Sequence, residues 1–198
     1  MTIDPATYDF YQSQAPHYTA SGAQGQSRHL DGFLARLAPG ARILELGCGG
    51  GRDAAYMKER SFDVDATDAV PAMVKKANER NNLDARVMQF GELDAVACYD
   101  AVWAHASLLH CPRSDLPDAL SRIYCAMRPG GWHFANFKLG NGEGRDKFDR
   151  LYNFPTREDL VGMYETACDW SIEEAQDYES CGFDAIDRDW LALTVRKP

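Results

Sequence analysis

No stretch of this chain approaches the 18 apolar residues in a row that a membrane-crossing helix needs. The N-terminal MTIDPATYDFYQSQAPHY carries acids and tyrosines where a secretory leader would place cations and then an apolar run. A cytoplasmic protein with no membrane partner is the expectation. Close cysteine pairs are also missing: Cys48, Cys98, Cys111, Cys125, Cys168 and Cys181 never stand nearer than 13 positions. That removes the C-x-x-C spacing of zinc and redox sites, calls for no metal, and predicts buried free thiols. Positive charge is scarce, with 21 Lys plus Arg against 30 Asp plus Glu and a net charge of −9. Adjacent cations occur at Lys75-Lys76 and Arg196-Lys197, so a phosphate backbone is repelled and no nucleic acid is expected as partner. There is no internal repeat, low-complexity tract or linker rich enough to split the chain. At 198 residues, 45% hydrophobic and 26% charged, the composition is globular, and a fold of this length buries roughly 70% of its unfolded surface. One domain, 1–198, is predicted.

What is present is a regular alternation. Leu30, Phe33, Leu34 and Leu37 recur at helical spacing from Ser27 to Leu37, and Pro39-Gly40 closes the pattern. Arg42 to Leu46 (RILEL) reads as a strand running into Gly47-Cys48-Gly49-Gly50-Gly51, with RDAAYMKER as the helix after it. A second strand, Phe62 to Thr67, stops at Asp68, and Pro71 suits the first turn of the helix that follows. Further strands are predicted over Ala85 to Phe90, Tyr99 to Ala106 and Trp132 to Lys138. Ser114 is the expected N-cap of a helix through Leu116, Leu120, Ile123 and Met127. Leu139 to Asn153 is polar and glycine-bearing, a long excursion. Thr156 with Asp159 resembles a capping box, and two strands around Trp170 to Ala175 and Trp190 to Arg196 close the chain. This order predicts an α/β fold, a largely parallel sheet covered by helices on both faces.

In such sheets the ligand lies at the carboxyl ends of the strands, where glycines let the backbone amides approach it and an acid after the second strand takes ribose hydroxyls. Asp68 lies 21 residues beyond Gly47, against an offset of about 20 for a ribose-binding acid. Its other reading is a helix N-cap. The glycines are either a ligand cradle or a tight turn. The dinucleotide fingerprint needs a third glycine at the position held by Arg52, which weakens a nicotinamide reading. Glu45, a charge inside an apolar strand, is costly unless it is paired or used.

Glu45-x-Gly47-x-Gly49-x-Gly51 resembles the first motif of the class I S-adenosylmethionine-dependent methyltransferases. The resemblance extends through TDAVPAM around Asp68 to Met73, YDAVWAHASLLH from Tyr99 to His110, and MRPGG from Met127 to Gly131. It implies a Rossmann-like seven-stranded sheet of order 3-2-1-4-5-7-6 with strand 7 antiparallel, and S-adenosylmethionine as the methyl donor. By the same resemblance Glu45, Gly47, Cys48 and Gly49 line the methionine end, Asp68 holds the ribose, and Ala69, Met73, Glu92 and Leu93 sit near the adenine. The N-terminal run resembles the segment that closes over the donor in small-molecule members. Residues 1–26 are thus expected to be a lid carrying Tyr11 and Tyr18, with Tyr8, as aromatic faces for a positive sulfur; the other reading is a surface helix packing its rings for area.

Methyl transfer from a sulfonium is an in-line displacement that rewards alignment and exclusion of water. After the fourth strand the resemblance places acceptor-facing residues, here Trp103, His105, Ser107 and His110. His105 or His110 is the candidate general base if the acceptor must lose a proton. The excursion, residues 139–155 with Lys138 before it, gathers Lys138, Arg145, Lys147 and Arg150. Lys138, Arg145 or Tyr152 is expected to recognise a polar or anionic acceptor, with Tyr152 counted beside the histidines as catalytic. In the other reading Glu143, Asp146 and Asp149 neutralise those cations. The expectation is therefore a methyltransferase for a small molecule, monomeric or homodimeric. A nicotinamide-dependent oxidoreductase and a non-catalytic nucleotide-binding module are the alternatives.

Overall fold

A computed structural model describes residues 2–21 and 25–198. Of the lid predicted over 1–26, residues 1 and 22–24 lie outside the described residues. Helix α1 (Pro5–Ser21) starts at Asp4, whose carboxylate accepts from the backbone amide and the hydroxyl of Thr7, both at 2.9 Å. Pro5, with no amide hydrogen, costs nothing in that first turn. The helix predicted over Ser27 to Leu37 contracts to α2 (Leu30–Leu34), followed by turns.

Strand β1 (Arg42–Leu46), α3 (Arg52–Glu59), β2 (Asp63–Asp68), α4 (Pro71–Asn81), β3 (Arg86–Val87) and β4 (Tyr99–Ala104) follow in the predicted alternation. Next come α5 (Leu116–Ala126), β5 (Met127–Lys138), β6 (Gly142–Arg145), β7 (Leu151–Phe154), α6 (Arg157–Ala167), β8 (Ser171–Cys181) and β9 (Asp187–Arg196). The main sheet has the order β3-β2-β1-β4-β5-β9-β8, with β9 antiparallel to both neighbours. With the β6–β7 ladder set aside as a separate two-stranded sheet, this is the expected order 3-2-1-4-5-7-6.

Three local expectations are corrected. The excursion is a hairpin, not a loop: Gly142 to Arg145 pair with Phe154 to Leu151. MRPGG does not separate α5 from β5, because the strand starts at Met127 and bulges between its pairings with Tyr99 and Ala101. Asp115, not Ser114, sits at the N-cap of α5 without a side-chain cap bond, and Pro117 supplies the helical φ in its first turn. Thr156 does accept the Asp159 amide at 3.1 Å, while the Asp159 carboxylate turns away to pair with Arg113.

Side chains alternate across the sheet, so each central strand feeds two cores. Val102 and Ala104 of β4 pack with Leu44, Leu120, Ile123 and Leu160 under α5 and α6. Ala101 and Trp103 pack with Ile43, Phe33 and Met57 under α2 and α3. Helix α1 lies apart from both, its Ala15, Tyr11 and Tyr18 against Val70 and Met73 at the start of α4. Cys48 and Cys111 are buried, whereas Cys125 and Cys181 are exposed, which corrects the expectation of six buried thiols. No described helix is long and apolar enough to cross a membrane.

Candidate functional site

The parallel strands β1 and β4 diverge toward α3 and α5, and the crevice at their carboxyl ends is where this topology holds ligands. β1 ends because Gly47 turns the chain with φ +79°. A Cβ at Gly47 would collide with that of Ser107, so the Ser107 side chain packs directly on the glycine backbone there. The amides of Gly47 and Cys48 both donate to the Thr67 carbonyl at 2.8 Å, and the Gly49 amide donates to Asp68 Oδ2 at 2.9 Å. The expectation that these amides are open to a ligand is thereby corrected, since they are spent on the end of β2. What the turn presents instead is a bare wall.

Asp68 closes the other side of that wall. Its Oδ1 accepts the Val70 amide at 2.9 Å, so each oxygen carries one backbone bond and keeps a lone pair. It is 9% exposed and lines the cleft. Burial pushes its carboxyl up to about 6 against the pull of the two amides. The two readings of this residue coexist: the helix-start bonds and a free acceptor face occur in one carboxylate.

The cleft has a volume of about 90 Å³. It is lined by Gly47, Gly49, Asp68, Ala69 and Met73 from the first two strand–turn–helix units, by Gln89 and Phe90 after β3, and by Ser107 and His110 after β4. Ile3 and the tyrosines of α1 roof it, and the Ile3 amide donates to Gln89 Oε1 at 3.0 Å. Arg145 grips Asp4 through two N–H bonds at 3.0 and 2.8 Å, and the Leu151 amide donates to Thr7 Oγ1 at 2.8 Å. The β6–β7 hairpin thus holds α1 in place. Ligand pockets run to roughly 300–1,000 Å³, so the cleft is smaller than the space a bound nucleoside usually takes.

His110 sits at the end of the cleft under α1 with both ring nitrogens engaged. Its Nδ1 lies 2.7 Å from the Leu151 carbonyl, which can only accept, so Nδ1 carries the hydrogen. Nε2 therefore accepts from the Tyr11 hydroxyl at 2.9 Å, and Arg150 donates to the same hydroxyl at 2.9 Å. Burial, with the Arg150 and Lys138 cations nearby, holds the imidazole neutral, its pKa lowered to about 3. Arg150 is buried, bonded to Asp146 at 2.6 and 2.9 Å, and surrounded by Phe10, Tyr11, Phe148, Tyr152 and Phe183. It was counted in the sequence only as one cation of four; the aromatic spacing that encloses it comes from three separate segments.

Several predicted residues lie elsewhere. Trp103 is fully buried in the core, donating from its indole to Asp53 at 3.0 Å and stacking on Phe134 with ring centres 4.2 Å apart. His105 is hydrogen-bonded to Ser27 at 3.2 Å, is not part of the cleft wall, and has its pKa lowered to about 4 by burial. Lys138 is buried with Asp184 at 3.3 Å and sits over the Tyr152 ring at 4.4 Å. Its cation is thus neutralised within the fold, as is that of Arg145 by Asp4. Tyr152 backs the cleft rather than lining it, its ring 4.4 Å from that of His110. The Glu92 carboxylate caps the Gln89 amide at 2.7 Å, and Leu93 is in the core, so Gln89 and Phe90 occupy the place predicted for that pair. Cys48 packs with Ala54 and Val74. Glu45, 4% exposed, spends one oxygen on the Ala54 amide and leaves Oε2 without a partner; burial and the charges of Asp53 and Asp68 hold it well above the usual carboxylate range.

Residues 43–131 match a family model described as a methyltransferase domain. The chain is 32% identical over 123 residues to a malonyl-[acyl-carrier protein] O-methyltransferase of Enterobacter lignolyticus, a match covering 59% of this chain and 47% of that protein. It is 33% identical over 150 residues to a ubiquinone biosynthesis O-methyltransferase of Xanthomonas oryzae, covering 64% of this chain and 61% of the relative. The chain thus spans about half the length of the curated relatives it matches. Among solved structures it is similar to the 1,6-didemethyltoxoflavin-N1-methyltransferase of Burkholderia thailandensis, crystallised with S-adenosylhomocysteine. That likeness has a TM-score of 0.78 and 22% identity, and covers 97% of this chain and 87% of the other. The chain thus shares the fold of that solved methyltransferase, and the glycine turn and Asp68 lie inside the segment that matches the methyltransferase domain.

Proposed function

We propose that this chain is an S-adenosylmethionine-dependent methyltransferase acting on a small-molecule acceptor by in-line transfer. The observation that carries the reading is the pairing of a side-chain-free turn after β1 with the buried Asp68 carboxylate after β2, inside the segment that matches the methyltransferase family. The residues present fit the donor: Asp68 keeps a lone pair on each oxygen for a sugar diol, Met73, Phe90 and Ile3 offer apolar surface for a base, and the buried Ser107 hydroxyl has no partner in the fold. When bound, S-adenosylmethionine supplies a methyl group on a positively charged sulfur. Tyr11 and Tyr18 present aromatic faces at the end of the cleft where that charge belongs, and α1 excludes water.

The acceptor side favours a nucleophile that needs no proton removed. The His110 lone pair is occupied by Tyr11, and His105 is outside the cleft. The cations that the sequence offered for an anionic acceptor are paired with Asp4, Asp146 and Asp184. The reading extends to residues 1–198 as one methyltransferase domain, with 1–26 as lid and 139–155 as the hairpin that fastens it. It also includes a cytoplasmic monomer or homodimer with no nucleic-acid or membrane partner.

Thermal-shift titration with S-adenosylmethionine, S-adenosylhomocysteine and NAD tests the reading. A ligand at 100 times its dissociation constant adds about 2.7 kcal/mol of apparent stability. A rise in melting temperature with the two sulfur nucleosides and none with NAD is expected; stabilisation by NAD alone would replace methyl transfer with hydride transfer.

A further inference from the structure

Two residues past β4, the backbone is held in a conformation that side chains seldom adopt. Ala106 has φ +51°, a left-handed geometry that is unfavourable for a residue with a Cβ. It is pinned there from outside: its amide donates to Asn136 Oδ1 at 2.6 Å, and the Asn136 amide nitrogen donates to the Tyr178 hydroxyl at 2.7 Å. Asn136 is itself 1% exposed. Strain enforced by a buried strut needs a gain elsewhere.

The next residue supplies the place to look. Ser107 is 7% exposed, lines the cleft, and has a buried hydroxyl oxygen with no hydrogen-bond partner. An orphaned buried hydroxyl is destabilising, yet the Ser107 carbonyl accepts the His110 amide at 3.0 Å and fixes the residue where it is. Across from it Gly47 is the one residue type that fits, because a Cβ there would meet the Ser107 side chain. The strut, the strain, the orphaned hydroxyl and the bare glycine all serve one result, an oxygen held at the junction of the β1 turn and the β4 end.

We infer that Ser107 is a specificity-determining residue whose hydroxyl oxygen faces the positively charged sulfur group of the methyl donor and distinguishes it from the neutral thioether product. This rests on the methyl-donor reading above. Crossing from the ribose-binding Asp68 along the glycine wall, the sulfur of such a nucleoside comes to the Gly47 end, where Ser107 stands. An oxygen lone pair attracts polarised C–H groups on a cationic centre and gains nothing from a thioether sulfur. Asn136 and Ala106 act through Ser107 and are positioning residues.

The test is calorimetric titration of the full chain with S-adenosylmethionine and with S-adenosylhomocysteine, for wild type, Ser107→Ala and Ser107→Cys. Removing one buried oxygen that has no partner should not destabilise the fold, and melting temperatures at or above that of wild type check that each variant folds. The expected result is that Ser107→Ala weakens S-adenosylmethionine by about three- to tenfold, as a charge-assisted contact should, while S-adenosylhomocysteine changes less than twofold. Ser107→Cys, with a poorer acceptor, falls between. Equal loss for both ligands, or no loss for either, overturns the inference while leaving the donor reading intact. Failure of wild type to bind either nucleoside overturns the donor reading itself.

Discussion

Gly51 turns the chain into α3 with φ +77°, and a Cβ there would stand 2.5 Å from Leu83 Cδ1 and 2.9 Å from Ala77 Cβ. Backbone strain and overpacking act together, so Gly51→Ala is expected to lower stability by about 2–4 kcal/mol in denaturant unfolding. A loss under 1 kcal/mol would show that α4 yields easily. At this scale the sequence was legible wherever a residue's role follows from local spacing. Gly47, Gly49, Asp68, Ala69 and Met73 all reach the cleft from one strand–turn–helix pattern repeated twice. It was not legible where a partner comes from far along the chain. Trp103 finds Asp53, Lys138 finds Asp184 and Arg145 finds Asp4, and each pairing turns a residue that looked available into one already satisfied. Glu92 misled for a different reason: its place in a short turn lets it cap Gln89, a local bond that the strand spacing does not reveal.

Among elements, the relation between α1 and the hairpin decides access to the cleft. The aromatic run Tyr8 to Tyr18 told of a helix or a lid without separating them, and the excursion after Lys138 hid a hairpin because glycines and charges mask its two-residue periodicity. Folded, each completes the other: Asp4, Thr7 and Tyr11 of the N-terminal segment meet Arg145, Leu151 and Arg150. Deleting residues 1–20 removes Ile3, Tyr11 and Tyr18 from the cleft roof. It is expected to weaken S-adenosylhomocysteine by at least about tenfold in calorimetric titration, because most of the apolar cover of a bound ligand is lost. Unchanged affinity would mean that α1 packs on α4 for area alone.

For the molecule as a whole, buried neutral histidines set an acid limit. His105, His110 and His133 have pKa values lowered by burial to about 4, 3 and 4 from an ordinary 6.5. Between those values the unfolded chain binds more protons than the folded one, so their contribution is fully present above pH 6.5 and lost progressively as pH falls toward 4. Asp68, raised from 3.8 to about 6, and Glu45, held well above its ordinary value by burial, act in the opposite sense and offset part of this, two groups against three. The melting temperature is expected to drop by about 5 °C between pH 7 and pH 5; a flat profile would show that water reaches these rings. The fold class follows from patterning, because alternating strands and helices bury a largely parallel sheet on both faces; the strand order came from the resemblance to the class I methyltransferases and not from the spacing.

We propose that Asp68, in its ionised form, holds the donor's sugar beside the turn after β1. Calorimetric titration of S-adenosylhomocysteine into wild type and Asp68→Ala, at pH 5, 6, 7 and 8, tests this role. Wild-type affinity is expected to be level at pH 7 and 8 and to fall as pH drops through about 6, where the carboxylate gains its proton. Asp68→Ala is expected to bind about ten- to a hundredfold more weakly at pH 7, as loss of hydrogen bonds to a charged acceptor requires, with no pH dependence in that range. An Asp68→Ala variant that binds as tightly as wild type would contradict it.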